Sequence, residues 1–146
     1  MVPALYFSEI PTLEASMKFG RPAWAAIPLR LVIGIVLIVS GYGKLSHISN
    51  TVAFFAKYGF PIPVATAWFI GGLEFFGGVA LILGLFVRFL GLIYAIEFIV
   101  ALLWVQLPTS GFGPSRLVLM LIASGLALSV LGAGPISVDS HWIERK

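Results

Sequence analysis

The sequence predicts an all-α, polytopic membrane protein: an antiparallel bundle of four transmembrane helices, with a short interfacial helix between spans one and two. Three observations lead there. The 146 residues are 60% hydrophobic and only 10% charged, with a mean hydropathy of +1.06, whereas a soluble domain carries about 25% charged residues. The charge deficit runs along the chain from about residue 23 onward, so it does not mark a single anchor. Four apolar stretches approach the ~20 residues that cross a hydrocarbon core, and the links between them are short enough to make neighbours antiparallel.

The elements follow in order. Residues 1–22 are mixed in character and read as an N-terminal cytoplasmic or surface-lying segment, without the basic and apolar succession of a cleavable signal. The membrane domain spans 23–136, with crossings expected at 23–42, 64–84, 89–106 and 117–134. Between the first two, residues 50–58 carry Val52, Phe54, Phe55 and Tyr58 beside Lys57. They read as a short helix in the interface, with Ser49 as N-cap and Gly59 as stop; a reentrant loop is the alternative. The sequence FPIP then breaks any helix. A polar turn at 86–88 joins spans two and three, LPTSGFGPS joins three and four, and 137–146 form a short cytoplasmic tail.

Orientation follows from the basic residues. Lys18, Arg21, Arg88, Arg145 and Lys146 fall on one face, and Lys44, Lys57 and Arg116 on the other, which puts both termini in the cytoplasm and the protein in the cell membrane. Tyr42, Tyr58, Trp68 and Trp104 mark outer span ends and Trp24 an inner one, as interfacial aromatics do. Ala67/Gly71, Ala80/Gly84 and Ala123/Ala127 are small-residue pairs suited to close helix contact.

Composition also excludes chemistry. With no cysteine, the chain offers no disulfide exchange, iron–sulfur ligation or thiolate haem. Its two histidines, His47 and His141, are expected at opposite faces, so no haem or metal site is expected on this chain. A net charge of +3, scattered along the sequence, does not suit nucleic acid.

Three charges lie inside apolar stretches: Arg30, Glu74 and Glu97. A charge at bilayer depth costs roughly 2.5–3.5 kcal/mol on insertion scales, so such residues face a partner, a cavity or a ligand. Glu74 shares its stripe with Ala67, Gly71, Gly77 and Gly78, and Arg30 with Ala23, Ala26, Gly34 and Gly41; both are expected to face the bundle. Glu97 lies on a stripe with Tyr94, Ala101 and Trp104. Helix rise puts the two glutamates near the midplane and Arg30 about 10 Å above the inner edge, close enough for an Arg–Glu pair. Such a pair would only fix helix register. Two carboxylates facing one arginine leave a second charge open, and the alternative is a glutamate that exchanges protons with a bound quinone or water. At the outer face, Lys44, His47, Lys57 and Arg116 meet no acidic residue, which suits lipid headgroups or attracts small anions.

Several motifs resemble the DoxX family of small membrane proteins. They are Arg30 with GYGKL at 41–45, FFxxYGFP at 54–61, GGLEFFGGVALILGLFVR at 71–88, and GAGPISVD at 132–139. The resemblance covers 29–139, and the glutamate block is its most specific part. Arg30, Lys44, Glu74 and Arg88 match family positions. Two residues depart: Arg116 stands where many members carry a glutamate, and Glu97 where they carry an apolar residue. By resemblance, the chain is a four-helix protein tied to redox chemistry, since DoxD relatives form part of a thiosulfate:quinone oxidoreductase.

The resulting expectation is a subunit of an oxidoreductase at the quinone pool, possessing no metal centre of its own and oxidising a small sulfur anion such as thiosulfate. Glu74, Arg30 and Glu97 are its candidate catalytic residues; Tyr94, Trp104 and Lys44 are candidate contacts to a quinone or anion. Expected partners are the lipid bilayer, other membrane or peripheral redox subunits and a quinone, with self-association open. The rival expectation is a non-catalytic structural or assembly subunit of a larger respiratory or photosynthetic complex.

Overall fold

The computed structural model describes residues 22–139. The expected N-terminal segment, and the tail beyond Asp139 with His141, Arg145 and Lys146, lie outside the described residues. Four helices are long and apolar enough to cross a membrane: α1 (Pro22–Ser46), α3 (Pro63–Leu83), α4 (Val87–Ser110) and α5 (Phe112–Leu131). The short helix α2 (Ile48–Lys57) connects the first two crossings. Among the described residues there is no strand. The protein is an all-helical, multi-pass membrane protein.

Its outer surface fits that solvent. Val39, Phe69, Phe76, Met120 and Val130 are each at least 66% exposed, which would be an aggregation liability in water and is an ordinary lipid-facing surface in a bilayer. The interior is made by Leu37, Leu81, Val87, Tyr94 and Leu128, all fully or almost fully buried.

The spans pack as two close pairs, α1 with α3 and α4 with α5. In each, glycine lets two backbones meet. A Cβ on Gly41 of α1 would strike the Phe75 backbone of α3, and one on Gly91 of α4 would strike the Gly125 carbonyl of α5. Contact between α3 and α4 is sparser, which leaves room between those two helices.

Several boundaries differ from expectation. α1 continues to Ser46, four residues beyond the expected end, because a backbone still at membrane depth must satisfy its own hydrogen bonds. The expected linker between spans three and four reduces to Gly111, whose φ of 70° is costly for any residue with a Cβ. Pro114 falls in the first turn of α5, where its missing N–H has no helical partner to lose. Helix α2 begins at Ile48 after His47, and Ser49 does not cap it; Thr51 Oγ1 instead donates to the Lys44 and His47 carbonyls. Gly59, at φ 71°, ends it as expected.

The segment 132–139 folds back onto the bundle. Asp139 accepts from the Phe86 and Val87 N–H groups at 3.1 and 3.3 Å, so it caps the start of α4, and its own N–H donates to the Gly84 carbonyl at 3.2 Å. The Arg30 guanidinium donates to the Ala133 and Ile136 carbonyls. Here the expected Arg30–glutamate pair is corrected: the carboxylate whose charge Arg30 feels is Asp139. Arg30 works as a clasp between α1 and the 132–139 segment.

Candidate functional site: a charged cavity between the third and fourth helices

The cation of Glu74 comes from elsewhere on α1. Lys44 Nζ donates to Glu74 Oε2 at 2.5 Å and to Ser40 Oγ at 2.7 Å, while Ser40 donates to the same Glu74 oxygen at 3.1 Å. Lys44 and Ser40 are one helical turn apart, and helical side chains lean toward the N-terminus. An amine attached near the end of α1 therefore arrives a turn deeper, opposite Glu74. Roughly 21 Å of helix separates residues 30 and 44 at 1.5 Å each, which keeps Arg30 out of this group. The Glu74 side chain is 3% exposed and that of Lys44 28%, so the pair is inside the protein and open on the lysine side.

Glu97 comes from α4 and stands within electrostatic reach of both Glu74 and Lys44, with its carboxyl against that of Glu74. Its Oε2 is buried and receives no hydrogen bond from a described group. Leaving a buried acceptor unpaired costs about 1–3 kcal/mol, and more for a charged one. A fold retains such an atom where something else completes it, whether a shared proton or a ligand.

These groups end a cavity of about 710 Å³ in the gap between α3 and α4, a size typical of small-molecule sites. Its walls are apolar: Phe69, Ile70 and Leu73 from α3, and Ile93, Ile96 and Val100 from α4, roofed by Phe54, Phe55 and Phe60. Phe69, Ile96 and Val100 are also 66%, 55% and 41% exposed on the lipid surface. The apolar wall of the cavity is thus continuous with the lipid-facing surface of the bundle.

The α4 backbone shapes the far wall. Residues Ala101–Gln106 form a π-helical turn, wider than an α-turn, and Ala101, Val105 and Gln106 line the cavity. Pro108 has no N–H for the Trp104 carbonyl four residues back, so the regular ladder is interrupted there. π-turns inside α-helices occur frequently at functional sites.

The structure brings together Lys44, Glu74 and Glu97 from the sequence-based candidates, keeps Tyr94 within electrostatic reach of both glutamates, and places Arg30 and Trp104 apart. Arg30 holds the 132–139 segment. Tyr94 is 1% exposed and donates to the Leu73 carbonyl at 2.7 Å, so its hydroxyl ties α4 to α3 beside the cavity. Trp104 points outward, 59% exposed, and donates to the Tyr58 carbonyl at 2.9 Å, pinning the linker that carries Phe60. Sequence reasoning missed Ser40 and the aromatic roof. The signal for Ser40 was its i−4 spacing from Lys44; Phe54 and Phe55 were visible but read only as part of a short interfacial helix. At the other end of the bundle, Arg88 borders a hollow of about 1010 Å³ beside 131–134. The Asp139 carboxylate there is already spent on capping α4.

Comparison with known proteins agrees with the motifs at 41–45 and 71–88. The model of the DoxX family matches residues 25–107, more than half of the chain. The chain belongs to the DoxX family. The matched part holds every charged group of the cavity and ends before α5 and the 132–139 segment. Among curated DoxX-like relatives, the chain is 29% identical over 118 residues to a Bacillus subtilis (strain 168) protein named "Putative oxidoreductase CatD", covering 81% of this chain and 87% of that protein. No solved structure matches.

Proposed function

We propose that this DoxX-family chain is the integral membrane subunit of an oxidoreductase working at the quinone pool, with the α3–α4 cavity as the quinone site. The observation that carries the reading is a lipid-accessible apolar cavity ending on Lys44, Glu74 and Glu97. The name of the Bacillus subtilis relative supports the reaction class. A quinone supplies two-electron, two-proton chemistry when bound. Such a molecule needs a greasy slot for its tail, a donor for its ring oxygen and a proton route, and the cavity offers all three.

The chain's own residues have distinct tasks in this reading. Phe69, Ile70, Ile93 and Ile96 exclude water and take the ring. Lys44 has three N–H donors, of which Ser40 and Glu74 occupy two, so one remains for a ring oxygen. Glu74 and Glu97 bring two carboxyl groups, one against the other, to the place where the protons of that oxygen would be exchanged. Arg30, one of the candidate catalytic residues, has a structural task instead, holding the 132–139 segment. A small sulfur anion such as thiosulfate remains the proposed electron source, drawn to the end of the bundle where Lys57 and Arg116 are exposed.

The test is quinone content. Protein purified in mild detergent from its native membrane is expected to hold about one quinone per chain by mass spectrometry, and Ala101→Phe, which fills the cavity, to hold at least roughly tenfold less while remaining monodisperse. Wild-type protein free of quinone, recovered as a fixed component of a complex that already contains every redox centre, would favour the structural-subunit alternative.

A further inference from the structure

The two halves of the bundle differ in a way that fixes which face of the membrane supplies the cavity with protons, an inference that rests on the quinone-site reading above. From the glutamates toward the Arg30 end, the bundle is dry. Residues 31–39 of α1 and 75–83 of α3 carry no polar side chain, which is roughly 13 Å of helix at 1.5 Å per residue. Ile33, Leu37, Leu81 and Leu90 fill that half, each at most 9% exposed. Glycine then brings neighbouring helices into contact. A Cβ on Gly34 of α1 would meet the Gly78 carbonyl of α3 at 2.9 Å, and one on Gly77 of α3 would strike the Tyr94 hydroxyl of α4. That hydroxyl gives its proton to the Leu73 carbonyl. A file of water needs room and polar partners, and among the described residues the space between α1, α3 and α4 in this half offers neither.

Toward Lys44 the arrangement is the reverse. The Glu97 carboxyl stands against that of Glu74, Glu74 accepts from Ser40 and Lys44, and the Lys44 side chain is 28% exposed. Thr66 and Gln106, both half-buried, add polar groups to the lining at this end. A run of polar groups in mutual contact thus leads from the buried carboxyls to an opening beside the end of α1. Two thiosulfate ions joined through a new S–S bond supply two electrons and no proton. Reducing one quinone ring to its dihydroxy form takes those two electrons and two protons, so both protons must come from water. We propose that they enter from the Lys44 end alone, through Lys44, Ser40, Glu74 and Glu97, and that none crosses from the Arg30 end. Electron transfer at this site is then tied to proton uptake at one face of the membrane.

The experiment is cysteine labelling, for which a sequence without cysteine is a clean background. Ala101→Cys and Val105→Cys place a thiol in the cavity wall. Asn50→Cys on α2 marks the Lys44 end and Val138→Cys the Arg30 end. The probe is a membrane-impermeant, sulfonate-bearing methanethiosulfonate, applied to sealed membrane vesicles of either orientation. It reacts with the thiolate, which forms in water and not in apolar surroundings. Both cavity thiols are expected to react from the side that labels Asn50→Cys, at least about tenfold faster than from the side that labels Val138→Cys. Similar rates from the two sides, a faster rate from the Val138 side, or no reaction from either side overturns the inference. Two cavity positions are probed, so poor folding of one variant does not blunt the test. Added short-tailed 1,4-benzoquinone separates this outcome from the reading it rests on. Slower labelling of Ala101→Cys supports the quinone site, whereas one-sided labelling untouched by the quinone overturns that site and leaves the one-sided access standing.

Discussion

Glu74→Gln is expected to lower quinone-linked electron transfer in native membranes by about 10²- to 10⁴-fold, the usual contribution of a positioned acid–base group. The amide matches the carboxylate in size and still accepts from Lys44 and Ser40. It cannot hold a transferable proton, and it leaves the Lys44 ammonium without its counter-charge. Breaking a fully buried ion pair costs roughly 3–5 kcal/mol. With the lysine side chain 28% exposed, solvent recovers part of that, and about 1–2 kcal/mol is the expected loss of stability. The variant should therefore insert and assemble while turnover collapses. Rates with a short-tailed quinone, normalised to chain abundance by immunoblot, check this. Turnover within twofold of wild type would remove Glu74 from the chemistry, and loss of assembly would favour a structural role.

Arg30→Met is expected to have the largest effect on the fold. Arg30 is 5% exposed and donates to two carbonyls, Ala133 and Ile136, from the segment that also caps α4 through Asp139. Methionine keeps the volume but orphans both acceptors, at about 1–3 kcal/mol each. Roughly 2–5 kcal/mol of stability should go with them. Arg30→Lys should recover only part, since one ammonium cannot reproduce the planar fork that reaches both carbonyls. Thermal unfolding in detergent should rank wild type above Arg30→Lys, and Arg30→Lys above Arg30→Met. Limited proteolysis should show the 132–139 segment cut first in the methionine variant. An unfolding midpoint for Arg30→Met equal to wild type would mean that the clasp contributes nothing to stability.

Much of this architecture was legible in the sequence because bilayer physics restricts the choices. Four apolar runs can only be helices, and the small residues around Glu74 could only face a neighbouring helix. The inward direction of Glu74 was thus readable from its stripe. Its partner was not. Lys44 sat near an expected span end and was read as an interfacial cation, whereas α1 runs on to Ser46 and carries the amine back a turn to Glu74. Arg30 was equally hard to place, because carbonyls more than one hundred residues away in the chain take it. Nothing in a sequence pattern shows that 132–139 folds back beneath α1. The π-turn at Ala101–Gln106 was likewise hidden, since a single Pro108 is compatible with a kink, a break or a widened turn.

Glu97 illustrates the opposite case. Its isolation among apolar residues already marked it in the sequence, and its position across from Glu74 makes it part of the same site. Its Oε2 is buried and reached by no described donor. Arg116, by contrast, is exposed and bonds the Gly113 carbonyl within its own helix.

The most direct test of the central claim is photoaffinity labelling of the wild-type protein in membranes with an azido-quinone, followed by peptide mapping. The account predicts label concentrated on α3 and α4 residues that line the cavity, such as Phe69, Ile70, Ile96 and Ala101, and displaced by excess unlabelled quinone. Label spread over the lipid-facing surface at Val39, Phe76, Met120 and Val130, and insensitive to competitor, would contradict it.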